Sequence, residues 1–268
     1  MRRPSPELPV QQPANADTHP HSLVFCEVGD LSLTRRRFGK GFAYFDGGGR
    51  RITDRAEIDR LNRVAVPPAY RNVRLNGDPQ GHLQAIGTDA RGRRQYRYHP
   101  AYRATRDERK FAACADFGAR LPAMRAKLKR QLSAPPTSYE AVIAAMILIL
   151  DTVYLRIGNE AYARRNKSFG LSTLRTRHLR PLRGEIELRY RGKSGRVQTA
   201  TVSDRALLRV VRQCQHLPGQ RLFQYRSMSG DVRAAGAVDV NAFIRELLGG
   251  DYTAKDFRTW HASVLAFE

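Results

Sequence analysis

Cysteine is nearly missing from this chain. The three present in 268 residues, Cys26, Cys114 and Cys214, are scattered with no metal-ligand spacing and no disulfide framework. Reduced, buried thiols are expected, and with them a cytoplasmic, nucleoid-associated protein. Long hydrophobic runs are missing too. The longest, Ala141 to Leu150, falls well short of the ~20 apolar residues that cross a bilayer, and no signal peptide is visible. Acidic residues are scarce: Lys and Arg number 47 against 25 Asp and Glu, a formal net charge of +22. Solubility alone needs no such excess, so a polyanionic partner is expected. The cations are spread along the chain and interleaved with Tyr and Phe, without one basic amphipathic helix. That pattern favours nucleic acid over a membrane surface.

What is present divides into three stretches. Residues 1–21, rich in Pro, Gln, Asn and Ala, read as a disordered tail. Residues 22–100 carry short apolar runs between turn residues: Leu23-Val-Phe, Gly41-Phe-Ala-Tyr-Phe, Val64-Ala-Val, Val73-Arg-Leu and Leu83-Gln-Ala-Ile. They predict a small antiparallel sheet with one short helix over 54–62. The Gly47 run reads as a hairpin turn, since neither a Lys-Ser pair nor a helix follows it. Residues 101–268 have helical periodicity. Helices are expected over 107–121 and 123–132, then, behind a Thr137/Glu140 capping box, one apolar all round that belongs in the core. The fold class is α+β: a small N-terminal antiparallel β-sheet domain, then a mainly α-helical domain carrying a β-hairpin.

Three cations stand out by position. Arg156 follows the buried helix directly, in Arg-Ile-Gly-Asn-Glu160, where a charge must be paired or line a site. Lys193 lies at the tip of the hairpin whose strands fill 185–202, in Gly192-Lys-Ser-Gly195. The Gly-Lys-Ser string lacks the leading glycine and the following helix of a nucleotide-binding loop, so ATP binding is rejected. Arg258 falls in the first turn of a helix that Thr253 and Asp256 cap. There Phe257, Trp260, Val264 and Phe267 form the expected buried stripe, with Arg258, His261 and Ala262 on an adjoining face. Upstream, Arg91-Gly-Arg-Arg-Gln-Tyr-Arg-Tyr98 has four arginines in its first seven residues and reads as a strand. Tyr96 and Tyr98 would share one face, with Gln95 and Arg97 on the other, side chains suited to phosphate and base-edge contacts.

Together these words resemble the type IB DNA topoisomerases of the bacterial and poxvirus branch: Arg-Ile-Gly-Asn-Glu, Tyr190-Arg-Gly-Lys-Ser-Gly, Ala254-Lys-Asp-Phe-Arg-Thr-Trp, Gln95-Tyr-Arg-Tyr98 and Phe169-Gly-Leu-Ser-Thr-Leu174. The resemblance covers nearly everything from Leu23 onward. It implies a duplex-DNA enzyme that relaxes supercoils through a transient 3′-phosphotyrosine link. Arg156 and Arg258 would stabilise the reacting phosphate and Lys193 would act as general acid. Gln95, Tyr96, Arg97 and Tyr98 would form a DNA-recognition strand, and Tyr162 would be a phosphate or groove contact. Residues 22–100 would be a DNA clamp and 101–268 the catalytic domain of a monomer. Neither cofactor nor metal would be needed, since guanidinium and ammonium groups supply the charge and the link stores the bond energy. The resemblance places the nucleophilic tyrosine beyond Arg258, in a motif with no counterpart up to Glu268. A C-terminally truncated sequence, deficient in cleavage, is therefore expected. The alternative is a non-catalytic duplex-binding protein derived from the same family.

Overall fold

The computed structural model describes residues 23–267, so the segment read as a disordered tail lies outside the described residues. The chain divides into two compact units on either side of the Lys110–Phe111 bond.

The first unit is a five-stranded antiparallel sheet in the order β2-β1-β3-β4-β5, with β1 Leu33–Phe38, β2 Gly41–Phe45, β3 Arg71–Leu75, β4 Leu83–Thr88 and β5 Arg94–Tyr98. One face packs Leu33, Val73, Leu75 and Ala85 against Leu61 of helix α1 (Arg55–Arg63), whose first turn is capped by the Asp54 carboxylate accepting from the Glu57 N–H at 3.0 Å. The Gly47 run closes a turn after β2, where Asp46 Oδ1 accepts from the Gly48 and Arg50 N–H groups at 2.9 Å. Three expectations fail, the first at Leu23-Val-Phe, which makes only an isolated bridge between Val24 and Gly81. Val64-Ala-Val forms no strand: Val64 closes α1 and Ala65 turns the chain at a φ of 53°. A strand that was not expected, β1, carries three consecutive arginines that hide its alternation. Arg35 lies over the Phe42 ring at 4.1 Å and donates to the Val66 and Pro67 carbonyls, so this cation is consumed by structure.

Helix α2, Pro100–Gln131, spans the division and runs unbroken through Pro122, where two helices were expected. Pro122 removes one backbone bond, the one to the Gly118 carbonyl four residues back. Gly118 has its own use, because a Cβ there would come within 2.1 Å of the Trp260 ring. The bare backbone is the seat of that indole.

The rest of the second unit surrounds α3, Tyr139–Val153, in which every residue from Ala141 to Asp151 is buried. Ser138, not Thr137, caps it, accepting from the Ala141 N–H at 3.3 Å, and no capping box forms. Around α3 lie α4 (Glu160–Asn166), α5 (Arg205–Gln215), α6 (Ala237–Leu248) and α7 (Ala254–Phe267), with a three-stranded sheet of β6 (Leu179–Leu182), β7 (Glu185–Arg191) and β8 (Val197–Val202). Helices α5, α6 and α7 all pack on α3, which is why it has no polar face. No helix among the described residues is long and apolar enough to cross a membrane.

Candidate active site

Helix α3 ends at Tyr154, whose left-handed backbone (φ 57°) turns the chain sharply and sends Arg156 outward while Leu155 stays buried. The next residues dock on the segment after α4. The Arg156 carbonyl accepts from the Leu171 N–H at 2.8 Å and the Ile157 carbonyl from the Ser172 N–H at 2.7 Å. Gly158 (φ 93°) lies against Gly170 so closely that a Cβ on Gly170 would stand 2.6 Å from the Arg156 oxygen and from the Gly158 backbone. Asn159 then caps α4, its side chain accepting from the Tyr162 N–H at 2.9 Å. Each letter of Arg-Ile-Gly-Asn thus has a task, and Phe169-Gly-Leu-Ser-Thr is its partner strip. Thr173 Oγ1 closes that strip by accepting from the Gly170 N–H at 2.9 Å.

The strip also reaches the hairpin, since the Phe169 N–H donates to the Arg191 carbonyl at 2.7 Å. Immediately beyond, the β7–β8 turn is pinned by the Gly192 N–H on the Arg196 carbonyl at 2.8 Å, with Ser194 and Gly195 at φ 62° and 75°. Lys193 is exposed on that turn and has no side-chain partner among the described residues. Arg258, on α7, is half-buried and donates from Nη1 to the Tyr154 carbonyl at 2.7 Å. Burial, then the neighbouring Arg156, lowers its pKa, while Tyr190 acts the other way. Tyr190 stands behind the two guanidiniums with its pKa pushed up to about 12, chiefly by burial. Arg156, Lys193, Arg258, Lys255, Tyr162 and Phe169 line one cavity of about 370 Å³. Residues taken from four separate stretches of sequence meet there.

Under this cavity is a support that sequence reasoning missed. Asp151, 3% exposed at the end of α3, takes a bidentate pair from Arg125 of α2 at 2.7 and 2.9 Å, and faces His261 Nε2 at 3.1 Å. His261 was expected on a face adjoining the buried stripe, with Arg258 and Ala262; it belongs to the buried residues instead. It meets the Tyr154 ring at a tilt of 40° and a centroid distance of 4.3 Å, and has its pKa lowered by burial against the pull of Asp151. The predicted stripe on α7 holds at Phe257, which is fully buried, and fades to Phe267, which is 93% exposed. The available signal was Asp151 itself, a carboxylate ending an apolar run. Tyr252 is engaged elsewhere: its hydroxyl donates to Asp116, and its pKa is raised by that bond.

The predicted recognition strand lies in the other unit. Tyr96 and Tyr98 stack at 6.2 Å and pack on Leu83 and Ile86, while Gln95 donates to Asp89 at 3.0 Å. Arg93, two N–H groups and Gln95 hold the Asp89 carboxyl at about 2, well under its ordinary value. Tyr96, Arg97 and Tyr98 line a groove of about 730 Å³ with Arg60, Arg63 and Arg103.

Comparison with known proteins agrees with this layout. Residues 99–268 match the family described as eukaryotic DNA topoisomerase I, catalytic core, and residues 41–89 match the bacterial DNA topoisomerase IB N-terminal domain. DNA topoisomerase 1B of Acanthamoeba polyphaga mimivirus is 34% identical over 236 residues, covering 87% of this chain and 70% of that protein. The chain belongs to the type IB DNA topoisomerases. Vaccinia virus (strain Copenhagen) DNA topoisomerase 1B is 26% identical over 111 residues, covering 40% of this chain and 34% of that enzyme. The two family matches together leave 90–98, with the whole of β5, between them. The three-cation cavity falls entirely within the topoisomerase catalytic-core match.

Proposed function

We propose that this chain grips a phosphodiester of duplex DNA in the Arg156–Lys193–Arg258 cavity and serves strand cleavage and religation through a 3′-phosphotyrosine link. The convergence of those three side chains around one cavity carries the reading. As a tyrosine oxygen, its proton given up to solvent, attacks phosphorus, negative charge grows on the two non-bridging oxygens. Two guanidiniums, one held by a backbone carbonyl, are placed to receive it; removing one such preorganised donor elsewhere costs about 10²–10³ in rate. The bond to the 5′ oxygen breaks, and that oxygen takes a proton from the Lys193 ammonium. Religation reverses each transfer, so neither ATP nor a metal enters the scheme. General acid catalysis of this kind contributes about 10²–10⁴. Tyr162, on the cavity wall, contacts the sugar-phosphate chain, and the β5 strand with Gln95 and Arg97 approaches a groove.

We assign the attacking oxygen to neither Tyr190 nor Tyr252, and to Tyr162, exposed on the cavity wall, only the backbone contact. Tyr190 is buried and hard to ionise, and Tyr252 is bonded to Asp116. That favours, for these 268 residues by themselves, the second reading of duplex binding without cleavage. A trapping assay separates the two: the chain is mixed with labelled nicked duplex, quenched with detergent and examined for a covalent adduct. An adduct lost in Arg258→Ala establishes cleavage, and mass spectrometry then names the nucleophile. Salt-sensitive duplex binding without an adduct establishes the binding reading. A chain that binds no duplex at all overturns both.

A further inference from the structure

A second cavity, of about 390 Å³, opens on the other face of α4. Helix α4 puts Tyr162 on the first cavity and Ala163 and Arg164 on the second, its C-cap Lys167 joins the second, and Phe169 lines both. Arg175 and Arg177, from the turn that follows, and Arg221, from a distant segment, complete the cationic wall. The one carboxylate present, Glu160, is paired with Arg221.

Structural arginines in this chain are matched to acceptors, either carboxylates or, as with Arg35 and Arg74, backbone carbonyls. Arg125, Arg60, Arg93 and Arg120 each face a carboxylate. Here Arg175 donates to the neutral Gln220 Oε1 at 2.7 Å, and Arg221 adds the Ser172 carbonyl at 3.1 Å to its pair with Glu160. Arg164, Lys167 and Arg177 have no side-chain hydrogen bond or ion pair among the described residues. A complement to the C-terminal dipole of α4 would account for Arg164 and Lys167, but not for three arginines brought in from other segments. The adjacent His178 stays neutral to about pH 4, mainly through burial and further through Arg177 and Arg175. Five cations converging on one concavity repel one another until an anion enters, and planar guanidinium forks match phosphate oxygens in bidentate fashion.

We propose that this second cavity takes another backbone phosphate of the same polynucleotide, away from the reacting position. The inference rests on the reading that the chain grips DNA. Its consequence is a duplex anchored on both sides of α4, one phosphate held for chemistry and one for register.

The test is duplex binding by anisotropy across a salt series. Arg164→Ala combined with Arg177→Ala removes two unpaired cations from the cavity; Arg205→Ala combined with Arg212→Ala removes the same charge from the exposed face of α5. The cavity variant is expected to lose about tenfold in affinity near 0.15 M salt, and its slope of log K on log salt to fall by about 0.9, the value for one phosphate contact. The α5 variant should keep the parent slope. Equal slopes for the two variants overturn the proposal. So does calorimetric binding of pyrophosphate to the parent chain, abolished in the cavity variant while the duplex slope is unmoved, which would mark a small-anion site. Absence of duplex binding by the parent would instead remove the functional reading on which the proposal stands.

Discussion

The two cavities flanking α4 are both basic and of similar volume, yet they are built on different supports. Around Arg258, position is controlled by backbone: the Tyr154 carbonyl holds the guanidinium, the Gly158–Gly170 contact fixes the segment that bears Arg156, and a pinned turn carries Lys193. Beneath it, Asp151 ties α2, α3 and α7 together. Around Arg221 the cations are long side chains with few anchors. Catalysis loses rate steeply when a charge is misplaced by an ångström, whereas counterion-releasing grip depends mainly on how much charge is present. The contrast is what a division between chemistry and anchoring would produce, and it can be broken from either side.

The largest effect is expected at Gly170. A methyl group there meets backbone atoms of Arg156 and Gly158 at 2.6 Å, and backbone cannot step aside as a flexible side chain can. Gly170→Ala should cost about 3 kcal/mol or more, read as a fall of about 6–12 °C in the melting temperature of the second unit. Near-parent melting would show that the first cavity is as loosely built as the second.

Arg125→Ala comes next. It strips the partner from a carboxylate that is almost wholly buried. Breaking such a pair typically costs about 3–5 kcal/mol, and because Arg125 is itself 40% exposed we expect about 2–3. Urea unfolding measures it. A loss below about 1 kcal/mol would mean that Asp151 is held by His261 and water alone, and that α7 does not depend on the pair.

These two supports differ in how far sequence could foresee them. The hairpin turn of Lys193, the capped start of α7, the core helix α3 and the Gly47 turn all follow from local rules, since turn chemistry and periodicity act over a few residues. The burial of His261 does not. Spacings of three and four from Phe257 allow Trp260 or His261 equally, and polarity argued for the wrong one. Its partner Asp151 lies 110 residues away, beyond any local pattern. Strand β1 was hidden for the same kind of reason. Its arginines look solvated until Phe42 and the Val66 and Pro67 carbonyls are seen to receive one of them. Pro122 argued for two helices because a missing N–H is visible in sequence, while the indole seated four residues earlier is not. For the candidate site, the three cations could be singled out by position, but the strip 169–173 that aligns two of them became intelligible only with the backbone contacts in view.

The smallest effect belongs to the second cavity and depends on pH. His178 accepts the Arg175 N–H on Nδ1 at 3.0 Å, has Phe169 and Tyr190 as ring neighbours, and lies under the field of Arg175 and Arg177. Its pKa falls from 6.5 to about 4, first through burial. The unfolded chain therefore takes up a proton on this residue between pH 6.5 and 4 while the folded chain does not. Stability from this source is complete above pH 6.5, declines as pH falls through the window, and is flat below it. His178 is only partly buried, so after allowance for solvent screening we expect about 1 kcal/mol. His178→Gln should flatten that part of the stability curve relative to the parent, and subtracting the two curves cancels the carboxylates that titrate nearby. If duplex DNA neutralises Arg175 and Arg177, the imidazole should titrate higher in the complex, visible in its ring-proton shifts. An imidazole unmoved by saturating duplex would separate the second cavity from the bound phosphates and leave only the cavity around Arg258 as a site of grip.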